Sequence, residues 1–410
     1  MLKKIEGRNL TVYLSGKIDS MNATNFESEL DNLIAENIEK NLIFDAERLE
    51  YISSAGLRVL LKIHKLVNKK IVVQNASDEV YEIFHVTGFD NFFDVQKKLR
   101  EISVEGCKKI GAGVNSKVFQ LDNDTIVKIY NKNFPVEKIT EEINIAKKIF
   151  ILGFPTAISY DVVKCGENLG VVFEKIGDSF SIGKYITNYP EKFFDAIKKM
   201  AELLKNIHAT KIENPEDLPS LKERWKNYAD NENMKNFYST KEIKTLKKIV
   251  EKIPERLSLI HCDFHSGNVL FQSGELIVID VGDVGFGHTF FDFAQIIKNR
   301  KYILEILAKN PVFDSMKNDF ISTFGMSEEK ILSSYDNLIK FYFGFNDIET
   351  KKFFDEYEIF ANFYKAFTPA TSPNKSKDFI QYFVDSAREK LLPNDKKFIE
   401  KIKNFSAYFN

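Results

Sequence analysis

The run His261–Ala294, HCDFHSGNVLFQSGELIVIDVGDVGFGHTFFDFA, constrains this chain more than any other. Its apolar segments Val269-Leu270-Phe271 and Leu276-Ile277-Val278-Ile279 enclose Gln272-Ser273-Gly274, the pattern of two short strands joined by a turn. Such a hairpin brings Asn268 and Asp280 to one end, with Asp263 on the loop before them. A carboxylate beside an incoming hydroxyl can orient it and accept its proton, while an amide oxygen and a second carboxylate hold Mg²⁺ against phosphates. These residue types at this spacing supply the parts for phosphoryl transfer from ATP. His261 and His265 flank Asp263 in an HxDxH array, but no third His or well-spaced Cys pair completes a zinc ligand set. His261 therefore reads as a residue that braces the loop.

The HxDxHxxN pattern followed by a strand ending in IDxGD resembles the aminoglycoside phosphotransferase and choline kinase branch of the protein-kinase-like fold. The resemblance implies that Asp263 is the catalytic base, that Asn268 and Asp280 are metal ligands, and that Asp292 is a buried acid bracing the loop. Upstream, IGAGVNSKVFQLDNDTIVKIY resembles the roof of a kinase nucleotide site. Gly111 and Gly113 let backbone amides approach phosphate without a Cβ, and Ser116 adds a hydroxyl. The resemblance adds Val118 to the ATP-binding set.

Lys128 lies mid-strand among Ile126, Val127, Ile129 and Tyr130. Either it snorkels to the surface or it is buried with a partner, because an unpaired buried ammonium is costly. The resemblance assigns it to the α and β phosphates, held by a helix glutamate. On the helix expected over about Val136 to Leu152, Glu142 falls in step with Ile139, Ala146 and Ile149. Glu141 falls with Lys138, Ile145 and Lys148, so Glu142 is the expected partner. Beyond Gly153-Phe154-Pro155 a strand over Gly170 to Phe173 leads into Glu174-Lys175-Ile176. Here the resemblance places the interlobe hinge, with Glu174 and Ile176 meeting adenine through main-chain atoms and Phe173 behind it.

A chain of 410 residues suits two or three domains. Lys and Arg (58) balance Asp and Glu (59), which argues against an extended nucleic-acid or anionic-membrane surface. Cys107, Cys165 and Cys262 show no CxxC spacing, as expected in a reducing compartment. The first residues lack an apolar signal core and no run reaches transmembrane length, so a cytoplasmic location is expected.

In the first hundred residues strands and helices alternate. Leu10–Leu14 reads as a strand bent or ended at Ser15-Gly16, and Asp19 or Ser20 as the cap of a helix carrying Phe26, Leu30, Leu33 and Ile34. A strand at Leu42–Phe44, a helix over Ala55–Val67, a strand at Ile71–Val73 and a helix near Val80–His85 follow. LSGKID, NLIFDAERLEYISSAGLRVLL and VTGFDNFFDV together resemble the STAS domain of anti-sigma factor antagonists. That family carries a phosphorylated serine just before the glycine that opens a helix; here Ala55 precedes Gly56, with Ser53 and Ser54 before it. Ser53 or Ser54 can cap the helix, or accept phosphate at its N-terminus. The resemblance implies a regulatory or protein-interaction module. Val95–Cys107 reads as a charged linker.

After the hinge, Ala201–His208 reads as a helix, and Ile212–Tyr238 as an inserted helical segment near the substrate cleft in which Trp225 packs. Helical segments follow around Ile303–Leu307, Ile331–Phe343 and Phe353–Phe367, a break at Thr368–Pro373, and a last helical region from Phe379. His288-Thr289 stands where the aminoglycoside enzymes commonly have aspartate and proline, a change that suits polycationic acceptors less well.

The expected architecture is an α/β STAS-like domain over 1–100, then an α+β bilobal protein-kinase-like domain over 101–410 with a largely helical C-terminal lobe. Its small lobe would span 101–176 and its large lobe 177–410. The expected activity is transfer of the ATP γ-phosphoryl group, with Mg²⁺, to a hydroxyl of a small molecule, the STAS domain serving regulation or a protein partner. The alternatives are a protein kinase of a STAS/sigma-type pathway and a non-catalytic, ATP-responsive scaffold.

Overall fold

A computed structural model describes residues 2–113, 115–132, 134–373 and 375–409. Contacts divide the chain into two compact units, Met1–Ser103 with Val162–Gly166, and Val104–Asp161 with Glu167–Asn410.

The first unit is a five-stranded sheet in the order β1-β2-β3-β4-β5. A hairpin of β1 (Leu2–Glu6) and β2 (Asn9–Ile18) is antiparallel, and β3 (Asn41–Ile52), β4 (Ile71–Ala76) and β5 (Phe93–Lys97) join in parallel. Helices α1 (Ala23–Ala35), α2 (Ser54–Val67) and α3 (Asp78–Val86) connect them, and their apolar stripes close on the strands' buried Val12, Phe44 and Val73. Gly56 opens α2 where no side chain fits: a Cβ there would stand 2.7 Å from Ile18 Cγ2 and 2.8 Å from Ile52 Cγ1.

Two expectations are corrected here. The N-cap of α1 is Asn22, without a side-chain cap bond. Asp19 instead accepts from the amides of Met21 and Asn22, closing a turn ahead of the helix. The expected linker begins inside β5 and holds the short strand β6 (Arg100–Glu101). Val95 is partly buried against the core, which outweighs the charged residues around it.

In the second unit β7 (Lys109–Ala112), β8 (Ser116–Gln120) and β9 (Thr125–Tyr130) form an antiparallel meander. Helix α4 (Val136–Ile151) and strand β10 (Ser159–Cys165), whose residues from Val162 on are grouped with the first unit, precede β11 (Asn168–Glu174), which pairs antiparallel with β9. The chain then passes through β12 (Phe180–Ser181) and α5 (Ile182–Asn188) into α6 (Phe193–Ala209), α7 (Leu221–Asp230), α8 (Glu232–Lys235) and α9 (Thr240–Glu251).

Strand β13 (Ser258–Ile260) leads to the 261–268 loop, the hairpin β14 (Val269–Gln272) and β15 (Glu275–Val278), and β16 (Gly285–Gly287). The β14–β15 turn is Ser273-Gly274 alone, both at positive φ, and Gln272 belongs to the strand opposite Glu275. From α10 (Phe290–Leu307) onward the described residues are helical or in short connections: α11 (Asp314–Phe324), α12 (Glu328–Phe343), α13 (Asp347–Tyr357), α14 (Ile359–Ala366), α15 (Thr368–Thr371), α16 (Lys377–Lys390) and α17 (Asp395–Ser406). The expected break at Thr368–Pro373 thus contains a turn of helix, with Pro369 in its first turn where a missing N–H costs nothing. Phenylalanines dominate this core, with Phe290, Phe291, Phe293, Phe360 and Phe363 all fully buried.

Candidate active site

The β14–β15 hairpin does the positioning. Val269 pairs with Val278, and the Ile279 amide donates to Asn268 O at 2.9 Å, so Asn268 and Asp280 share one end. Asp280 takes a left-handed backbone (φ 59, ψ 58) that turns the chain out of the strand and leaves its carboxylate about half exposed. Asp263 lies on the preceding loop. Its Oδ2 accepts from Asn268 Nδ2 at 3.3 Å, its main-chain O accepts from the same nitrogen at 3.0 Å, and Oδ1 accepts from Gln295 Nε2 at 2.9 Å. Burial works to raise the Asp263 pKa, but the His265 ring, Gln295 and Lys298 outweigh it and hold the carboxyl well below the usual carboxylate range.

The loop is held from beneath by Asp292, which is fully buried. Its carboxyl oxygens accept from Cys262 N at 2.6 Å, His261 N at 3.1 Å and His208 Nε2 at 2.9 Å. Cys262 is thereby kept at φ 68. His261 Nδ1 accepts from the Asp263 amide at 3.2 Å, and burial pushes the ring's pKa down. His265 Nδ1 accepts from Gly267 N, and its Nε2 lies 3.6 Å from Asp263 Oδ2. Among the described residues no group of three or more His, Cys, Asp or Glu has the arrangement of a metal cluster.

Lys128 joins the two halves of the site. Its Nζ donates to Glu142 Oε1 at 2.8 Å and Asp280 Oδ1 at 2.7 Å, and Tyr130 donates to Glu142 Oε2 at 2.7 Å. Burial works against the ammonium, but Asp280 and Glu142 prevail and push its pKa up. Glu142 is buried, whereas Glu141 pairs with Lys138 at 2.6 Å. Val118 and Val171 flank Lys128 across the sheet, and Gly111 pairs with Val118.

Gly113 donates its amide to Ser116 O at 2.9 Å. Ser116 is buried beside it rather than presented on the surface, because it heads β8 opposite Tyr130. Phe173 pairs with Ile126. Glu174 has its side chain engaged as well as its backbone: Oε2 accepts from Ile158 N at 3.2 Å. Ile176 O accepts from Ser179 Oγ at 2.8 Å. In the first unit Ser53 is the N-cap of α2, accepting from Gly56 N at 3.4 Å, and Ser54 is the first helical residue.

Four residues with roles here carried no signal in the local pattern. Besides His208 and Gln295, Arg224 of α7 donates to the carbonyls of Asp283 at 2.5 Å and Val284 at 3.4 Å, tying down the loop after Asp280. Lys298 is the fourth, one turn beyond Gln295 on α10. His288, by contrast, is fully buried between Ser406 Oγ and the Phe290 amide, and burial lowers its pKa to about 3. Trp225 packs against Phe363, Tyr364 and Phe367.

A family model described as the STAS domain matches residues 1–102, and one described as the phosphotransferase enzyme family matches residues 106–306. The protein described as "Putative anti-sigma factor antagonist BtrV", from Bordetella bronchiseptica, is 36% identical over 97 residues, 23% of this chain and 82% of that protein. Among solved structures, the gentamicin complex of APH(2")-IIa aligns at 15% identity over 78% of this chain and 98% of that one, with a TM-score of 0.45. A choline/ethanolamine kinase family protein from Mesorhizobium loti aligns at 13% identity over 72% and 92%, with a TM-score of 0.43. The chain therefore belongs to the STAS family through residues 1–102, followed by a domain over residues 106–306 that matches the phosphotransferase enzyme family.

Proposed function

We propose that residues 101–410 form an ATP- and Mg²⁺-dependent phosphotransferase that moves the γ-phosphoryl group to a hydroxyl of a small molecule. The small lobe would span 101–176 and the large lobe 177–410. The observation that carries this reading is the convergence of Lys128, Glu142 and Asp280 with Asp263 and Asn268 in a domain of a phosphotransferase family.

The donor set suits Mg²⁺. Asn268 commits its Nδ2 to Asp263, which leaves its amide oxygen, and Asp280 offers an accessible carboxylate, both hard oxygen ligands. Mg²⁺ held there would offset the charge of the β and γ phosphates. Lys128, steadied by Glu142, would place its ammonium on the α and β phosphates. Gly111 and Gly113 would let main-chain amides close over them, with Ser116 and Val118 in the same roof and Phe173, Glu174 and Ile176 lining the adenine side.

Asp263 would take a hydrogen bond from the acceptor hydroxyl and aim it at the γ-phosphorus. A carboxyl held so far below the carboxylate range is a weak base, so it would receive the proton late, once the new P–O bond has acidified the hydroxyl. Gln295 and Asn268 hold it in that orientation. Catalysis then rests on positioning and charge.

Asp263→Asn should abolish phosphate transfer while keeping nucleotide affinity within about twofold, since an interaction made only in the transition state affects turnover and not binding. Transfer retained at wild-type rate would remove Asp263 from this role. The STAS domain would bind a protein partner. Its Ser53, spent on capping α2, would serve structure rather than phosphorylation, and Ser54 would remain the accessible hydroxyl of the pair. The unpaired Cys107, Cys165 and Cys262 fit a cytoplasmic setting.

A further inference from the structure

Beside Asp263 stands a cation that the reading above leaves unused. Gln295 and Lys298 are three residues apart on α10 and share a face. Gln295 fastens that face to Asp263 through its 2.9 Å bond, and its Oε1 is buried with no partner among the described residues. The Lys298 Nζ lies 5.0 Å from the ring centroid of Tyr364 and 5.6 Å from that of Tyr302. The Tyr364 hydroxyl is spent on Phe291 O, so it is the aromatic face that the lysine meets.

Several half-buried lysines of this unit have carboxylates at ion-pair distance, Lys128 with Glu142 and Asp280, Lys222 with Glu255 and Lys301 with Glu358, whereas the buried Lys365, set against Tyr302 and Phe383, has none among the described residues. Lys298 has none among the described residues. Asp263 and Asp283 act on it only from farther away, and burial lowers its pKa to about 8. An ammonium desolvated against aromatic rings, without a counter-ion of its own, is a position that a bound anion stabilises.

We propose that Lys298 is a specificity-determining residue of the acceptor site: it receives a carboxylate or phosphate carried by the acceptor, while Gln295 Oε1 accepts from a second hydroxyl and Asp263 takes the reacting one. This inference rests on the phosphotransferase reading and narrows it to anionic polyols. Polycations are then the acceptors this site rejects, as an ammonium on the helix face fastened to the base requires.

The test uses two matched sets of probes, titrated calorimetrically into the full-length protein saturated with Mg·ADP. One set is glucose, glucuronate, glucose 6-phosphate and glucosamine; the other is glycerol, glycerate, glycerol 3-phosphate and ethanolamine. At least one anion should bind about tenfold or more tighter than its neutral and cationic counterparts. Comparing carboxylate with phosphate identifies the group. Lys298→Met should erase that preference, Lys298→Arg should retain most of it, and ADP affinity should be the same in all three proteins, which also shows that the variants are folded. Tightest binding by a neutral or cationic probe, no anion preference in the wild type, or the same preference in Lys298→Met would each overturn the proposal. Absence of Mg·ADP binding by the wild type would instead remove the phosphotransferase reading beneath it.

Discussion

Replacing Asp292 by alanine should damage the site without touching any group that meets substrate. The carboxyl of Asp292 satisfies three donors, the amides of His261 and Cys262 and Nε2 of His208, in a place with no solvent access. A buried donor left without a partner costs about 1–3 kcal/mol. Three of them sum to about 3–9 kcal/mol, and relaxation or entry of a water would bring the loss toward the lower end, about 3–5 kcal/mol. Against a total stability of about 5–15 kcal/mol this is a large fraction. Asp292→Asn should cost less, since it keeps one acceptor oxygen but turns an NH₂ toward one of the donors.

Urea denaturation of both variants, followed by near-ultraviolet circular dichroism of the aromatic-rich core, measures the difference. The first unit should unfold at its wild-type midpoint, which provides an internal reference. Should Asp292→Ala lose less than about 1 kcal/mol, the satisfaction of those donors is not what holds the 261–268 loop, and the bracing role assigned to Asp292 is wrong.

Two further outcomes follow from burial. Gly56→Ala would drive a Cβ into Ile18 and Ile52, and should lower the stability of the first unit by about 1–3 kcal/mol, read as a drop in its melting temperature; an unchanged melting temperature would contradict the packing described. His288 has a folded pKa of about 3, below the ordinary value near 6.5, so the unfolded chain binds a proton that the folded one refuses between those limits. Stability from this residue is thus present above about pH 6.5 and lost as pH falls toward 3, and His288→Gln should flatten the acid limb by up to about 1.4 kcal/mol per pH unit. Parallel acid limbs for the two proteins would refute it.

The parts of this structure written in local pattern were legible in the sequence. The β14–β15 hairpin follows from two apolar runs about a Ser-Gly turn, and the choice of Glu142 over Glu141 follows from a stripe one residue wide on α4. Element ends were less legible. Asp19 is of a type suited to a cap, yet it serves a turn ahead of α1. β5 was hidden because Val95 is flanked by charges and gains its strand character from the β4 edge. What the pattern could not carry was contact across sequence. His208 meets Asp292 from 84 residues away, and Arg224 reaches Asp283 across 59. Gln295 and Lys298 sit on a helix so thoroughly buried that its polar residues look like any others.

The central claim is that Asp280 and Asn268 hold Mg²⁺ for a nucleotide steadied by Lys128. Calorimetric titration of ATP, with and without Mg²⁺, into the wild type and Asp280→Ala tests it most directly. The account predicts Mg²⁺-dependent binding in the wild type that weakens by about tenfold or more in the variant, as expected when a metal ligand is removed. Binding in neither protein, or binding equally tight with and without Mg²⁺ in both, would contradict it.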